Sequence, residues 1–103
     1  MNKYRAIKTT LDGITFASKR EASRYHYLKM RMLAHEICDL ELQPTYSIDI
    51  NGFHVCKVKL DFRYVEKATG RTVTEDSKGM DNPLSRLKRK LVKAVYGVDV
   101  QIV

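Results

Sequence analysis

Between Lys57 and Gly79 the chain reads KVKLDFRYVEKATGRTVTEDSKG, and its alternation of side-chain types leaves few folds open. Val58, Leu60, Phe62 and Tyr64 fall on one face of an extended run, and Lys57, Lys59, Asp61 and Arg63 fall on the other. Thr69-Gly70 marks a turn. A second β-prone run, Thr72 to Lys78, ends where Gly79 lets the chain leave the strand. Every second residue of a strand returns to the same face, about 7 Å further on. Asp76 and Lys78 therefore share a face, and Asp61 on the preceding strand can join them. Glu75 is a rival for Asp76, but alternation sends it to the opposite side from Lys78.

An acid followed by an acid-x-lysine on the next strand suits the hydrolysis of a phosphodiester. That reaction needs a nucleophilic water, neutralisation of a doubly negative transition state and help for the leaving oxygen. Mg²⁺ or Mn²⁺ supplies charge and orientation, and these ions favour hard oxygen ligands. Asp61 and Asp76, with Glu21 and the backbone carbonyl of Ser77, are the expected ligands. Lys78 is expected to orient or deprotonate the attacking water. An acid-x-lysine tripeptide is by itself common and more often marks exposed strand charges or an ion pair.

The chain has 103 residues, enough for a single domain, expected to span 1–103. Its 19 Lys and Arg outnumber 12 Asp and Glu, a net charge of +7 that favours a polyanionic partner. No apolar run approaches the ~20 residues of a membrane span. The opening MNKYRAIKTT lacks the apolar segment of a signal peptide, so a cytoplasmic location is expected. Cys38 and Cys56 have no metal-ligand spacing with each other or with the three histidines, and read as buried reduced thiols.

Residues 1–12 read as a mobile basic arm, with Asp12-Gly13 turning into a β-like segment at Ile14 and Phe16. Ser18-Lys19-Arg20-Glu21 has the form of a capping box, opening a helix that runs to about Leu33 or His35. At helical spacing Glu21, Tyr25, Leu28 and Met32 lie on one stripe, so the capping glutamate also faces the core. Gln43-Pro44 precedes a strand from Thr45 to Ile50, and Asn51-Gly52 is a type I′ hairpin signal. The returning strand is expected to run from Phe53 to Tyr64, bending near Lys57. Asn82 and Pro83 open a second helix whose Leu84, Leu87, Leu91 and Val95 are expected inward, with Gly97 closing it. Val98, Val100 and Ile102 then alternate as a last, parallel strand. Lys19, Arg20, Arg24, Lys57, Lys59, Arg63, Arg86, Arg89, Lys90 and Lys93 are the expected contacts to nucleic acid. Arg86, Arg89, Lys90 and Lys93 form the stripe opposite the inward residues, for which a solvated helix face is the commonest explanation and phosphate contact a close second. Tyr25, Tyr27, Tyr46 and Tyr64 have core spacing.

The segments DGITFASKREASRY, LELQP, LDFRY and TEDSKG carry a resemblance that covers the chain nearly end to end. They resemble a small bacteriophage protein family labelled a domain of unknown function and related to the PD-(D/E)XK nucleases. The resemblance implies a restriction-endonuclease-like α/β fold, an αβββαβ core with a mixed central sheet flanked by helices. It implies Mg²⁺ or Mn²⁺ held at Glu21, Asp61 and Asp76, with Lys78 beside them and Gln43 in support. A proline before Asp61 is missing, Leu60 standing there, and the end of the first helix lacks a glycine. The arrangement also looks like that of phage junction-resolving endonucleases, which implies branched or duplex DNA as partner, a homodimer, and a phage or prophage gene in a bacterial host.

Two readings of other classes remain open on the same residues. One is a basic DNA- or RNA-binding module without catalysis. The other is an adaptor whose acids are an ion-pair network with Lys57, Lys59 and Arg63, although exposed pairs of that kind contribute only ~0–1 kcal/mol.

Overall fold

The computed structural model describes residues 8–78 and 81–103. Most of the expected basic arm, and Gly79, lie outside them. The part of the arm that is described is ordered: strands β1 (Thr9–Leu11) and β2 (Ile14–Phe16) pair antiparallel across Asp12-Gly13. Both turn residues have positive φ, 53° and 75°, as a type I′ turn requires.

Helix α1 (Lys19–Leu33) begins where the capping box places it. Ser18 is extended, and its hydroxyl accepts a 3.1 Å hydrogen bond from the Glu21 amide. Glu21, Tyr25 and Leu28 are buried along the expected stripe, Ala22 is buried beside it, and Met32 packs at its end. At the far end His35 takes the left-handed conformation, φ 61°, that a glycine would have held without strain.

Five strands separate the helices, and they belong to two sheets. β3 (Ile37–Leu42), β6 (Phe62–Glu66), β7 (Thr72–Asp76) and β8 (Val100–Ile102) form a four-stranded sheet in the order β3-β6-β7-β8. Its first two pairings are antiparallel and the last is parallel, because helix α2 (Pro83–Tyr96) carries the chain across between β7 and β8. β4 (Thr45–Ile50) and β5 (Phe53–Lys59) make a separate two-stranded ribbon, closed by Asn51-Gly52 with φ values of 51° and 81°. The described residues thus form a mixed α and β structure with a mixed sheet and two helices.

The single strand expected from Phe53 to Tyr64 is therefore two strands, interrupted at Leu60-Asp61. Leu60 still donates to the Pro44 carbonyl at the base of the ribbon, at 3.0 Å. One residue later, the Asp61 amide donates to Glu75 in the main sheet, at 3.1 Å, and its carbonyl accepts from Gln43. The chain changes sheets at Asp61. Alternation concealed this, because all four apolar residues are buried, but in different cores. Phe62 and Tyr64 pack with Phe16, Tyr25, Leu28 and Ile37 under α1. Val58 and Leu60 pack with Tyr46, Ile48 and Val92 between the ribbon and α2. A 3.0 Å hydrogen bond between the Tyr46 and Thr74 hydroxyls ties the ribbon to the sheet.

Helix α2 has its expected caps: the Asn82 side chain accepts from the Ser85 amide at 2.8 Å, and Gly97 closes it at φ 71°. Its inward face differs from expectation by roughly a quarter turn. Leu84, Leu87 and Val95 are exposed, Leu91 is half-buried and Val92 is fully buried. Arg89, expected on the outer stripe, turns inward with its side chain only 15% exposed. Tyr27 is likewise exposed, lying against the Arg24 guanidinium, whereas Tyr25, Tyr46 and Tyr64 are buried. Cys38 and Cys56 are free thiols and half-buried rather than fully enclosed. Among the described residues no helix is long and apolar enough to cross a membrane.

Candidate active site

The first turn of α1, the crossing at Asp61 and the end of β7 meet at one corner of the main sheet. Each supplies a carboxylate. Glu21 and Asp76 are buried, 8% and 5% exposed, and Asp61 is half-buried. Burial is the main reason that the Asp61 carboxyl is pushed up to about 7, from an ordinary value of 3.8. The neighbouring charges of Glu21 and Asp76 push the same way, as does a side-chain hydrogen bond shared with Asp76. The Ser77 amide, donating to Asp61 Oδ2 at 2.6 Å, opposes them. Glu21 is raised by burial first and by Asp76 second, against the pull of the Ala17 amide and Lys78.

Cations approach Asp76 without closing on it. Lys78 Nζ lies 3.5 Å from Asp76 Oδ2, and Arg89 Nη1 lies 4.0 Å from the same oxygen. A cavity of about 200 Å³ opens beside the acids, with Glu21, Gln43 and Asp61 among its lining residues. Gln43 thus sits next to the site, where its backbone bond to Asp61 places it at φ 53°.

Among the described residues, no group of three or more His, Cys, Asp and Glu side chains converges tightly enough to hold one ion. The fit to Mg²⁺ or Mn²⁺ rests on the donor chemistry. Two hard carboxylates, Asp61 and Asp76, crowd each other in a poorly solvated corner, and that crowding is what a divalent cation relieves. Mg²⁺ commonly takes one or two protein carboxylates and keeps several waters, so a cage of three is not required. Glu21 stands close enough to interact with both acids through charge. Ser77 enters through its amide, and its buried hydroxyl has no hydrogen-bond partner among the described residues.

Glu75 points away from this corner, as alternation requires. It is 1% exposed and holds Arg24 in a two-pronged pair, at 2.8 and 2.7 Å, while also accepting from the Tyr64 hydroxyl. Arg24 is consequently occupied. So are several other expected nucleic-acid contacts: Arg20 donates to the Val103 carbonyl, Arg63 to Glu41 and Tyr46, and Lys93 to Asp99. Arg86 and Arg89 both pair with Asp81. Lys19, Lys57, Lys59 and Lys90 are exposed and form no ion pair among the described residues. Arg89 is the site residue that sequence reasoning misplaced, because the Leu84-Leu87-Leu91 spacing pointed to the wrong face of α2 as inward.

A family model described as protein of unknown function (DUF1064) matches residues 1–102. The chain belongs to that family. No curated protein and no solved structure matches it. Membership of DUF1064 therefore brings no activity with it, and the geometry has to carry the functional reading.

Proposed function

We propose that this member of DUF1064 is a metal-dependent endodeoxyribonuclease of the PD-(D/E)XK kind, with a restriction-endonuclease-like core. The observation that carries this is the Asp61–Asp76 pair, crowded and buried, with the Lys78 ammonium 3.5 Å from Asp76. Burying two acids against each other is costly unless a cation offsets them. Lys78 and Arg89 offset Asp76 only at 3.5 and 4.0 Å, and a divalent cation between the two acids would relieve the rest. With the β1–β2 and β4–β5 ribbons set aside, the element order α1, β3, β6, β7, α2, β8 is compatible with the αβββαβ sequence of such a core.

Asp61 and Asp76 would hold Mg²⁺ or Mn²⁺, with Glu21 and the Ser77 carbonyl as further oxygen donors. The bound ion supplies charge neutralisation at the phosphate and a more acidic water. Ser77 fixes the orientation of Asp61 through its amide. Lys78, exposed enough to reach substrate and held near Asp76, orients the attacking water or takes its proton. Exposed Lys19, Lys57, Lys59 and Lys90 would meet DNA phosphates. Branched DNA, including four-way junctions, is the substrate suggested by the likeness of the arrangement to phage junction-resolving endonucleases, with a homodimer in the bacterial cytoplasm and a phage or prophage gene as its proposed setting.

The same exposed lysines favour the alternative, a basic nucleic-acid-binding module without catalysis. One experiment separates the two. Labelled four-way junction, duplex and single-stranded DNA are incubated with Mg²⁺ or Mn²⁺ and with wild type, Asp76→Ala or Lys78→Ala. Metal-dependent cutting by wild type, reduced ~100-fold or more in both variants, is the expected result. Tight binding by all three proteins without any cutting would leave the binding module.

A further inference from the structure

Arg89 is the group in this corner that the chemistry above does not use. Its guanidinium is permanently charged and carries five N–H donors in a fixed fork. Nη2 donates to Asp81 Oδ2 at 2.8 Å. Nη1 is buried and has no hydrogen-bond partner among the described residues. It faces Asp76 Oδ2 across 4.0 Å, a charge contact too long to be a hydrogen bond. A buried guanidinium N–H without a partner among the described residues is costly and calls for an explanation.

The surroundings say what would meet it. Lys78 Nζ reaches the same Asp76 oxygen at 3.5 Å, so two cations border one carboxylate oxygen. Asp81, shared with Arg86, holds Nη2, and Nη1 on the other edge of the fork has no hydrogen-bond partner among the described residues. Helix α2 brings Arg89 to Asp76, and α1 brings Glu21 to the same acid, so basic and acidic groups reach this corner from different helices. An oxygen of a phosphate, accepting from Nη1 and lying near Lys78, would complete this arrangement, with the two cations offsetting its charge beside Asp76.

We infer that Arg89 donates through Nη1 to a phosphate oxygen of the nucleic-acid backbone, and that Asp81 is the positioning residue that aims it. The inference rests on the phosphodiester reading for the identity of the anion. Arg89 then belongs to the site rather than to a general basic surface, and it would act on the phosphate at the acids rather than on flanking ones.

The test uses the full chain and thymidine 3′,5′-bisphosphate as probe, with binding followed by calorimetry in buffer containing Ca²⁺, and DNA cutting with Mg²⁺ followed in parallel. Arg89→Ala is expected to weaken nucleotide binding about tenfold or more. Arg89→Lys should recover part of the loss, and Asp81→Asn should weaken binding a few-fold with Arg89 intact. Thermal melting of each variant separates loss of fold from loss of contact, and the Lys and Asn variants keep the test open if the alanine variant unfolds. Nucleotide bound by Arg89→Ala as tightly as by wild type, or not bound by wild type at all, overturns the inference. DNA cutting by wild type together with unchanged nucleotide binding in Arg89→Ala overturns the role of Arg89 and leaves the nuclease standing. Weakened nucleotide binding in Arg89→Ala with no cutting by wild type does the reverse.

Discussion

Glu75 and Asp76 are adjacent on β7, equally hidden from water, and opposite in their circumstances. Glu75 is saturated: both of its oxygens are taken by Arg24, and Tyr64 adds a third donor. Asp76 has cations at 3.5 and 4.0 Å and an acid, Asp61, for a neighbour. One carboxylate is saturated within the fold, and the other is bordered by cations only at longer range. A buried charge that is fully paired is a structural device, whereas one left with incomplete partners beside a second acid marks a place for something to bind.

The contrast predicts opposite responses to mutation. Glu75→Ala strands Arg24 and Tyr64 and should cost about 3 kcal/mol of stability, read as a shift in the urea midpoint. Asp76→Asn should abolish metal-dependent cutting while leaving that midpoint unchanged or higher, since it removes one of two crowded charges. A loss of stability in Asp76→Asn matching that of Glu75→Ala would erase the distinction between them.

A smaller effect is expected with pH. The Asp61 carboxyl is higher in the folded protein than in the unfolded chain, and Glu21 is shifted the same way. A raised carboxyl favours the fold while protonated, so its contribution is present at low pH and is lost as pH rises toward and through about 7. The melting temperature of the metal-free protein should therefore fall by about 5 °C between pH 5.5 and 8. Asp61→Asn should flatten that slope, and Mg²⁺ or Mn²⁺ should restore stability at pH 8. A melting temperature independent of pH in that window would mean that the acids are better solvated than their burial indicates. Smallest of all is Lys78→Ala, whose partly exposed pair with Asp76 is worth at most ~1 kcal/mol in stability.

How much of this could be read from the chain depended on whether the signal was local. Ser18, Asn51-Gly52, Asn82-Pro83 and Gly97 each act on neighbouring backbone, and each stands where its local chemistry puts it. Acid-x-lysine alternation also places Asp76 and Lys78 on one side and Glu75 on the other by strand geometry alone. What escaped was pairing at a distance. Ile37–Leu42 carries a bulge at Asp39, φ 54°, which breaks the alternation that would have marked it as a strand. The change of sheet at Asp61 leaves no trace, because residues on both sides of it are apolar at even spacing. The rotation of α2 escaped for a similar reason: an exposed Leu84-Leu87 row looks the same on paper as a buried one.

The break at Asp61 has a mechanical meaning. Two apolar cores lie on opposite sides of the main sheet, and the short link between β5 and β6 is clamped to both by Leu60, Asp61 and Gln43. Neither core can slide relative to the other without dragging that link. The spacing between Asp61 and Asp76 is thereby set by the seating of two separate halves against one sheet. A cavity opened in either half, at Ile48 or at Leu28, would be felt as misalignment of the acids long before the protein unfolds.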